Sequence, residues 1–149
     1  MDLDKRISQK IIEAIKAKDN VRLETLRAIK SSIILIKTKS SEKKNLTENE
    51  EINLLQKLAK QRRESAEVFK TQKRNDLVNI EESQLKIIEE FLPKQLDSFE
   101  LKKILTDIVI NVNAKSIKDM GKVMGRAHQI IAGRADGKKI AELVKKILS

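Results

Sequence analysis

For its first 120 residues the chain contains no glycine, and its only proline is Pro93. A sequence so short of turn formers, and built largely from Leu, Ile, Lys, Glu and Gln, is expected to be helical throughout. At 149 residues it is long enough to bury roughly 70% of its unfolded surface, so a real core is expected. The expected fold class is all-α.

Apolar spacing and cap residues divide the chain into helices. Leu3, Ile7, Ile11 and Ile15 mark a first amphipathic helix that stops near Lys18, where Asp19 and Asn20 are cap formers. Leu23, Leu26, Ile29, Ile33 and Ile36 line a second, and Lys37 to Asn45 read as an exposed loop. Thr47 and Glu50 form a capping-box pattern opening a long third helix with Ile52, Leu55, Leu58, Ala59, Ala66 and Phe69 inward. Asp76 is expected to cap a fourth, carrying Leu77, Ile80, Gln84, Leu85, Ile88 and Phe91 inward. Pro93 disfavours helix at Leu92, so the expected division is a helical subdomain over 1–93 and a smaller three-helix subdomain over 94–149. In the latter, Asp97 with Glu100, Ser116 with Asp119, and Asp136 supply the three helix starts.

All four glycines fall between Gly121 and Gly137. From Ile117 to Ala132, a helical projection puts Ile117, Met120, Val123, Met124, Ala127, Ile130 and Ile131 on one apolar face. Beside it runs a stripe of Gly121, Gly125, His128 and Ala132, and next to that a sector with Lys122, Arg126 and Gln129. Glycine inside a helix costs about 1 kcal/mol relative to alanine, so Gly121 and Gly125 suggest that another backbone comes close. Two readings stay open: a neighbouring helix packs there, or an RNA sugar-phosphate backbone does while Lys122 and Arg126 hold phosphates. Gly133 is read as a helix C-cap, and Asp136 as the cap of a last helix whose first N–H groups, at Gly137, Lys138 and Lys139, favour an anion.

The formal charge of +10 points to an anionic partner. Residues 1–93 carry 20 basic and 16 acidic side chains, whereas residues 94–149 carry 12 and 6, so the shorter part is the more electropositive. A second basic cluster, Lys60, Arg62, Arg63 and Arg74, reads either as a solvated face with i,i+4 pairs or as a further phosphate contact. Three phenylalanines offer no stacking platform for single-stranded bases, so an RNA partner would be read by backbone and shape. Without cysteine there is no thiolate nucleophile and no zinc cluster. No metal, cofactor, membrane or catalytic site is expected; the one histidine, His128, lies on the glycine stripe and is read as a packing or surface residue. The N-terminal residues lack the apolar core of a secretory signal, from which a cytoplasmic location is expected.

Several segments then become familiar together. Gly121-Lys122-Val123-Met124-Gly125 and Gly133-Arg134-Ala135-Asp136-Gly137-Lys138 resemble the C-terminal signature of the GatB/YqeY family. Thr25-Leu26-Arg27, Lys60-Gln61-Arg62, Arg74-Asn75-Asp76-Leu77 and Phe91-Leu92-Pro93-Lys94-Gln95-Leu96 resemble its other segments in the same order. Arg134 stands where lysine is usual, Ala132 where a basic residue is common and Gln84 where glutamate is expected. The resemblance implies a fold similar to the tail of the B subunit of the tRNA-dependent amidotransferase, a tail that contacts tRNA. It thus implies tRNA, amidotransferase subunits or another translation factor as partners, with Lys122, Arg126, Arg134, Lys138 and Lys139 on phosphates. Stand-alone members are also classed with carbon–nitrogen ligases that use glutamine as amide donor. The residues themselves supply no nucleophile for that chemistry, and Gly133 to Lys139 has the wrong spacing for a nucleotide loop.

Overall fold

The computed structural model describes residues 2–39 and 45–149. Among these it is all-α: α1 (Leu3–Ala17), α2 (Asn20–Lys39), α3 (Glu48–Thr71), α4 (Asn75–Glu89), α5 (Ser98–Asn111), α6 (Met120–Ile131) and α7 (Gly137–Leu148), with one 3₁₀ turn (Ile117–Asp119) leading into α6. The chain divides into two compact units, Met1–Leu92 and Pro93–Ser149, so Pro93 opens the second.

The helix starts follow from short polar side chains. Asp2 accepts from the Lys5 N–H at 2.9 Å, Asp19 from Arg22 at 3.1 Å and Asp97 from Glu100 at 2.7 Å. Thr47 and Glu50 close a reciprocal capping box. Asp76 departs from expectation: α4 begins at Asn75, and Asp76 lies within its first turn with its carboxylate on the Arg74 guanidinium at 3.0 Å. That ion pair holds the side chain away from the cap position. Lys18, Lys73, Asn113 and Ala132 all adopt left-handed backbone geometry, with φ between 44° and 58°, and each lies at or just beyond a helix end.

In the first unit α1 lies along α2, and α4 packs against both α2 and α3. Leu3, Ile7, Leu26, Ile29, Ile33, Leu55, Ala59 and Ile88 are almost completely buried. The inward register differs from expectation at Ile15 and Ile80, which are exposed, and at Leu54, Val78 and Ile87, which are buried. Polar pins join the helices at their flanks. Glu51 on α3 accepts from the Leu3 N–H at 2.7 Å, and Arg22 on α2 makes a two-pronged pair with Glu90 at 2.7 and 2.9 Å. Arg62 bridges α3 to α4 through Glu81 at 3.2 Å and the buried Gln84 at 2.8 Å.

The expected loop from Lys37 is corrected in part: α2 continues through Lys39, while residues 40–44 lie outside the described set. The physical reason is Asp4 of α1, whose carboxylate receives the Lys37 ammonium at 2.6 Å and that of Lys30 as well. Hydrogen bonds from Lys30 and Lys37 hold the Asp4 carboxyl below the usual carboxylate range. The folded state therefore binds this proton less tightly than the unfolded chain, so the stabilisation is complete above the unfolded value near ~4 and is lost as pH falls through the lower folded value. Asp4→Asn is expected to cost about 1 kcal/mol in urea unfolding at pH 7, where the pair is half-exposed. The gap to the parent should close on acidification below about pH 4, and an equal gap in acid would contradict the assignment.

In the second unit, α5, α6 and α7 enclose Leu101, Leu105, Ile108, Val123, Ala127, Ile131, Ile140 and Val144, all nearly inaccessible to solvent. Asp119 accepts from the N–H groups of Lys115 and Ser116, at 2.8 and 3.4 Å, and these bonds hold its carboxyl below the usual range. They fix the turn from which α6 starts.

Candidate nucleic-acid interface

Helix α6 turns Val123, Ala127 and Ile131 inward, and their i, i+4, i+8 spacing fixes which residues face out. Taking about 100° per residue, Gly121, Gly125, His128 and Ala132 form one exposed strip, and Lys122, Arg126 and Gln129 a second beside it. The outward half of α6 is therefore a bare backbone strip flanked by cations. A Cβ built at Gly121 or Gly125 would meet nothing within 4 Å. Of the two readings of these glycines, a helix packed against Gly121 and Gly125 has no counterpart among the described residues. Arg126 reaches only Gln129, at 3.4 Å, one turn along the same helix.

The end of α6 is built differently from expectation. Ala132, not Gly133, is the left-handed C-cap residue, and Gly133 follows with φ 84°. The reversal takes two successive positive-φ residues, and the buried glycine holds the more crowded position. Arg134 donates from Nε to the Ile131 carbonyl at 3.1 Å and from Nη2 to that of Ile130 at 2.9 Å. It therefore neutralises the exposed carbonyl end of α6, a placement favoured by the helix dipole. The residues before α5 complete this turn. Leu96 donates its N–H to the Arg134 carbonyl at 2.7 Å, and Gln95 Nε2 donates to the Gly133 carbonyl at 2.9 Å. Two segments nearly 40 residues apart, Pro93 to Leu96 and Gly133 to Arg134, are thus one structural knot. Sequence reasoning missed this pairing; its one available signal was that both segments belong to the same family pattern.

The remaining cations scatter. Asp136 occupies the N-cap position of α7, Gly137 opens the helix, Lys138 is exposed, and the half-buried Lys139 helps to hold the Asp97 carboxyl below its usual range, behind the larger effect of the Glu100 N–H. In the first unit, Lys60 lies 3.9 Å from Glu64, Arg62 is engaged by Glu81 and Gln84, and the half-buried Arg63 also has interactions within the chain. Lys122 and Arg126 are thus the expected phosphate ligands that share one open strip. His128 is exposed on the glycine strip, and no group of three His, Cys, Asp or Glu side chains among the described residues is placed to hold a metal. No helix among them is long and apolar enough to cross a membrane.

Comparison with known proteins places this chain in a family. The chain is 27% identical over 147 residues to altered inheritance of mitochondria protein 41, mitochondrial, of Pyrenophora tritici-repentis, covering 96% of this chain and 79% of the relative. Proteins of the same name from Clavispora lusitaniae and Kluyveromyces lactis are 36% identical over 105 residues and 35% over 109. Each of these alignments covers 68% of this chain, and they span 59% and 58% of the relatives' own lengths. All three names carry the word mitochondrial, which overturns the expectation of a cytoplasmic location. The lack of an apolar stretch among the N-terminal residues does not distinguish the cytoplasm from an organelle. Residues 4–148 match the family described as YqeY-like protein, and the chain belongs to that family.

Proposed function

We propose that this YqeY-like protein is a non-catalytic RNA-binding factor that engages tRNA, alone or in association with an amidotransferase, through the outward face of α6. The observation that carries the reading is the empty space over Gly121 and Gly125. Each glycine weakens the helix by about 1 kcal/mol relative to alanine, and no close contact among the described residues offsets that loss. A bare strip allows a ribose-phosphate backbone to lie closer to the helix axis than any side chain would permit. Lys122 and Arg126, on the adjacent strip, then supply charge at phosphate level.

The reading makes two effects of opposite sign. Gly121→Ala with Gly125→Ala is expected to raise stability by about 1 kcal/mol per site, since the new methyl groups meet nothing. The same pair should weaken tRNA binding, on the order of tenfold, because the backbone is held off. Thermal unfolding and a tRNA-binding titration at several salt concentrations measure both, and log K should fall linearly with log salt. A stabler variant with unaltered tRNA affinity would rule out the strip as a contact.

A second reading is that the unit docks a protein, such as an amidotransferase subunit or another translation factor, without touching RNA. It is favoured by the exposure of Phe99, Ile110 and Ile117, at 79%, 69% and 54%. Association with such a protein that survives nuclease and is lost in Phe99→Ser would favour it over tRNA binding.

A further inference from the structure

The seam between α1 and α2 carries more positive charge than its own pairing requires. Asp4 is the carboxylate there, and it receives both Lys30 and Lys37. Lys30 Nζ also lies 3.1 Å from Ser8 Oγ. Beside this group is a cleft of about 270 Å³ lined by Asp4, Lys5, Ser8, Gln9 and Lys30. Lys5 and Lys30 against the Asp4 carboxylate, which Lys37 also engages from outside the cleft, leave its lining a surplus of one positive charge.

The donors around the cleft outnumber its acceptors. Each ammonium has three N–H bonds, the Ser8 hydroxyl keeps its proton when it accepts from Lys30, and the Gln9 amide adds two N–H bonds. The acceptor best placed to use them, the Asp4 carboxylate, already has one lysine on each oxygen. Lys5 has no ion-pair partner among the described residues, and its ammonium is exposed at the rim. A phosphodiester or an ionised phosphate ester, whose non-bridging oxygens all accept, completes such a site, and charge-assisted bonds to phosphate are among the stronger polar contacts.

We infer that the α1–α2 cleft binds a phosphate group, with Lys5, Ser8, Gln9 and Lys30 as donors and Asp4 as the anchor that holds Lys30 in place. The phosphate belongs either to a small phosphate ester or to an RNA backbone. This site is in the first unit and does not rest on the α6 reading. It also differs from the phosphate contact expected there from sequence, since Arg62 is already engaged by Glu81 and Gln84.

The test is two-dimensional amide NMR of the full chain, titrated separately with inorganic phosphate and with tRNA, for the parent and for Lys5→Glu. Lys5 is exposed, so the variant keeps its fold, which its dispersed spectrum will report. Inorganic phosphate should shift the amides of Lys5 to Gln9 and of Lys30 saturably at millimolar concentration, and Lys5→Glu should weaken the effect at least tenfold. Shifts of these amides by tRNA alone, lost in Lys5→Glu, assign the phosphate to RNA backbone and uphold the site. Shifts that grow linearly and spread over all surface lysines, or saturable shifts indifferent to Lys5→Glu, overturn it. So does silence of these amides with both ligands. Because inorganic phosphate is scored without RNA, a failure of tRNA binding at α6 leaves the result interpretable.

Discussion

Leu105→Ala is expected to destabilise the C-terminal unit by about 3 kcal/mol, within the range of 2–5 for deletion of a fully buried leucine side chain. Leu105 has no exposed surface and belongs to the same cluster as residues of all three helices of the unit, among them Val123, Ala127, Ile140 and Val144. A unit of this size has little stability to lose, since a single core below about 70–80 residues rarely supplies more than 3–5 kcal/mol. The variant should therefore lose amide hydrogen-exchange protection across α5, α6 and α7 at 37 °C. Retention of protection, with a change below about 1 kcal/mol, would mean that the core is not centred on this side chain. Loss of tRNA binding in this variant would report loss of the fold, which makes it the control for substitutions on the outward face of α6.

The second large effect is on binding without folding. Lys122→Glu with Arg126→Glu alters the charge of the outward strip by four units while leaving the inward residues untouched. Both side chains are exposed, and Arg126 makes one long bond to Gln129, at 3.4 Å. Lys122 lies in the first turn of α6, where a negative charge suits the helix dipole but meets Asp119. The two effects oppose each other, so stability should move by less than about 0.5 kcal/mol. Affinity for tRNA should fall on the order of 100-fold, and the slope of log K against log salt should become shallower by about two. Unaltered affinity in a folded variant would remove Lys122 and Arg126 from the interface.

The register of α6 was legible because its inward residues, Met120, Val123, Met124, Ala127 and Ile131, fill one continuous arc of the helix, and this also located the glycine strip beside that arc. The register of α1 was not, for a geometric reason. Leu3, Ile7, Ile11 and Ile15 step by four residues on a helix of 3.6, so each drifts about 40° from the last. By Ile15 the ladder has rotated out of the core, and Ala14 takes the inward place. In α4 Ile80 and Ile87 lie seven residues apart and so at nearly the same angle, and period alone does not tell that Ile87 is buried and Ile80 exposed; Gln84, expected inward, is buried beneath Arg62. The partner of a charged side chain is not visible in sequence. The same limit hid the role of Arg134, whose charge suggested phosphate but whose guanidinium meets the carbonyls of Ile130 and Ile131.

The placement of the left-handed residues has a consequence for how the chain evolves. Lysine, asparagine and alanine hold Lys18, Lys73, Asn113 and Ala132, where a helix end would be relaxed by glycine, while Gly121 and Gly125 lie in a helix that alanine would strengthen. Glycine and its natural addresses have been exchanged. A library of this sequence selected only for heat resistance should let glycine drift toward the helix ends and away from α6. A parallel library selected for function should keep Gly121 and Gly125 against that drift. The difference between the two populations, position by position, is a map of the surface that the cell uses.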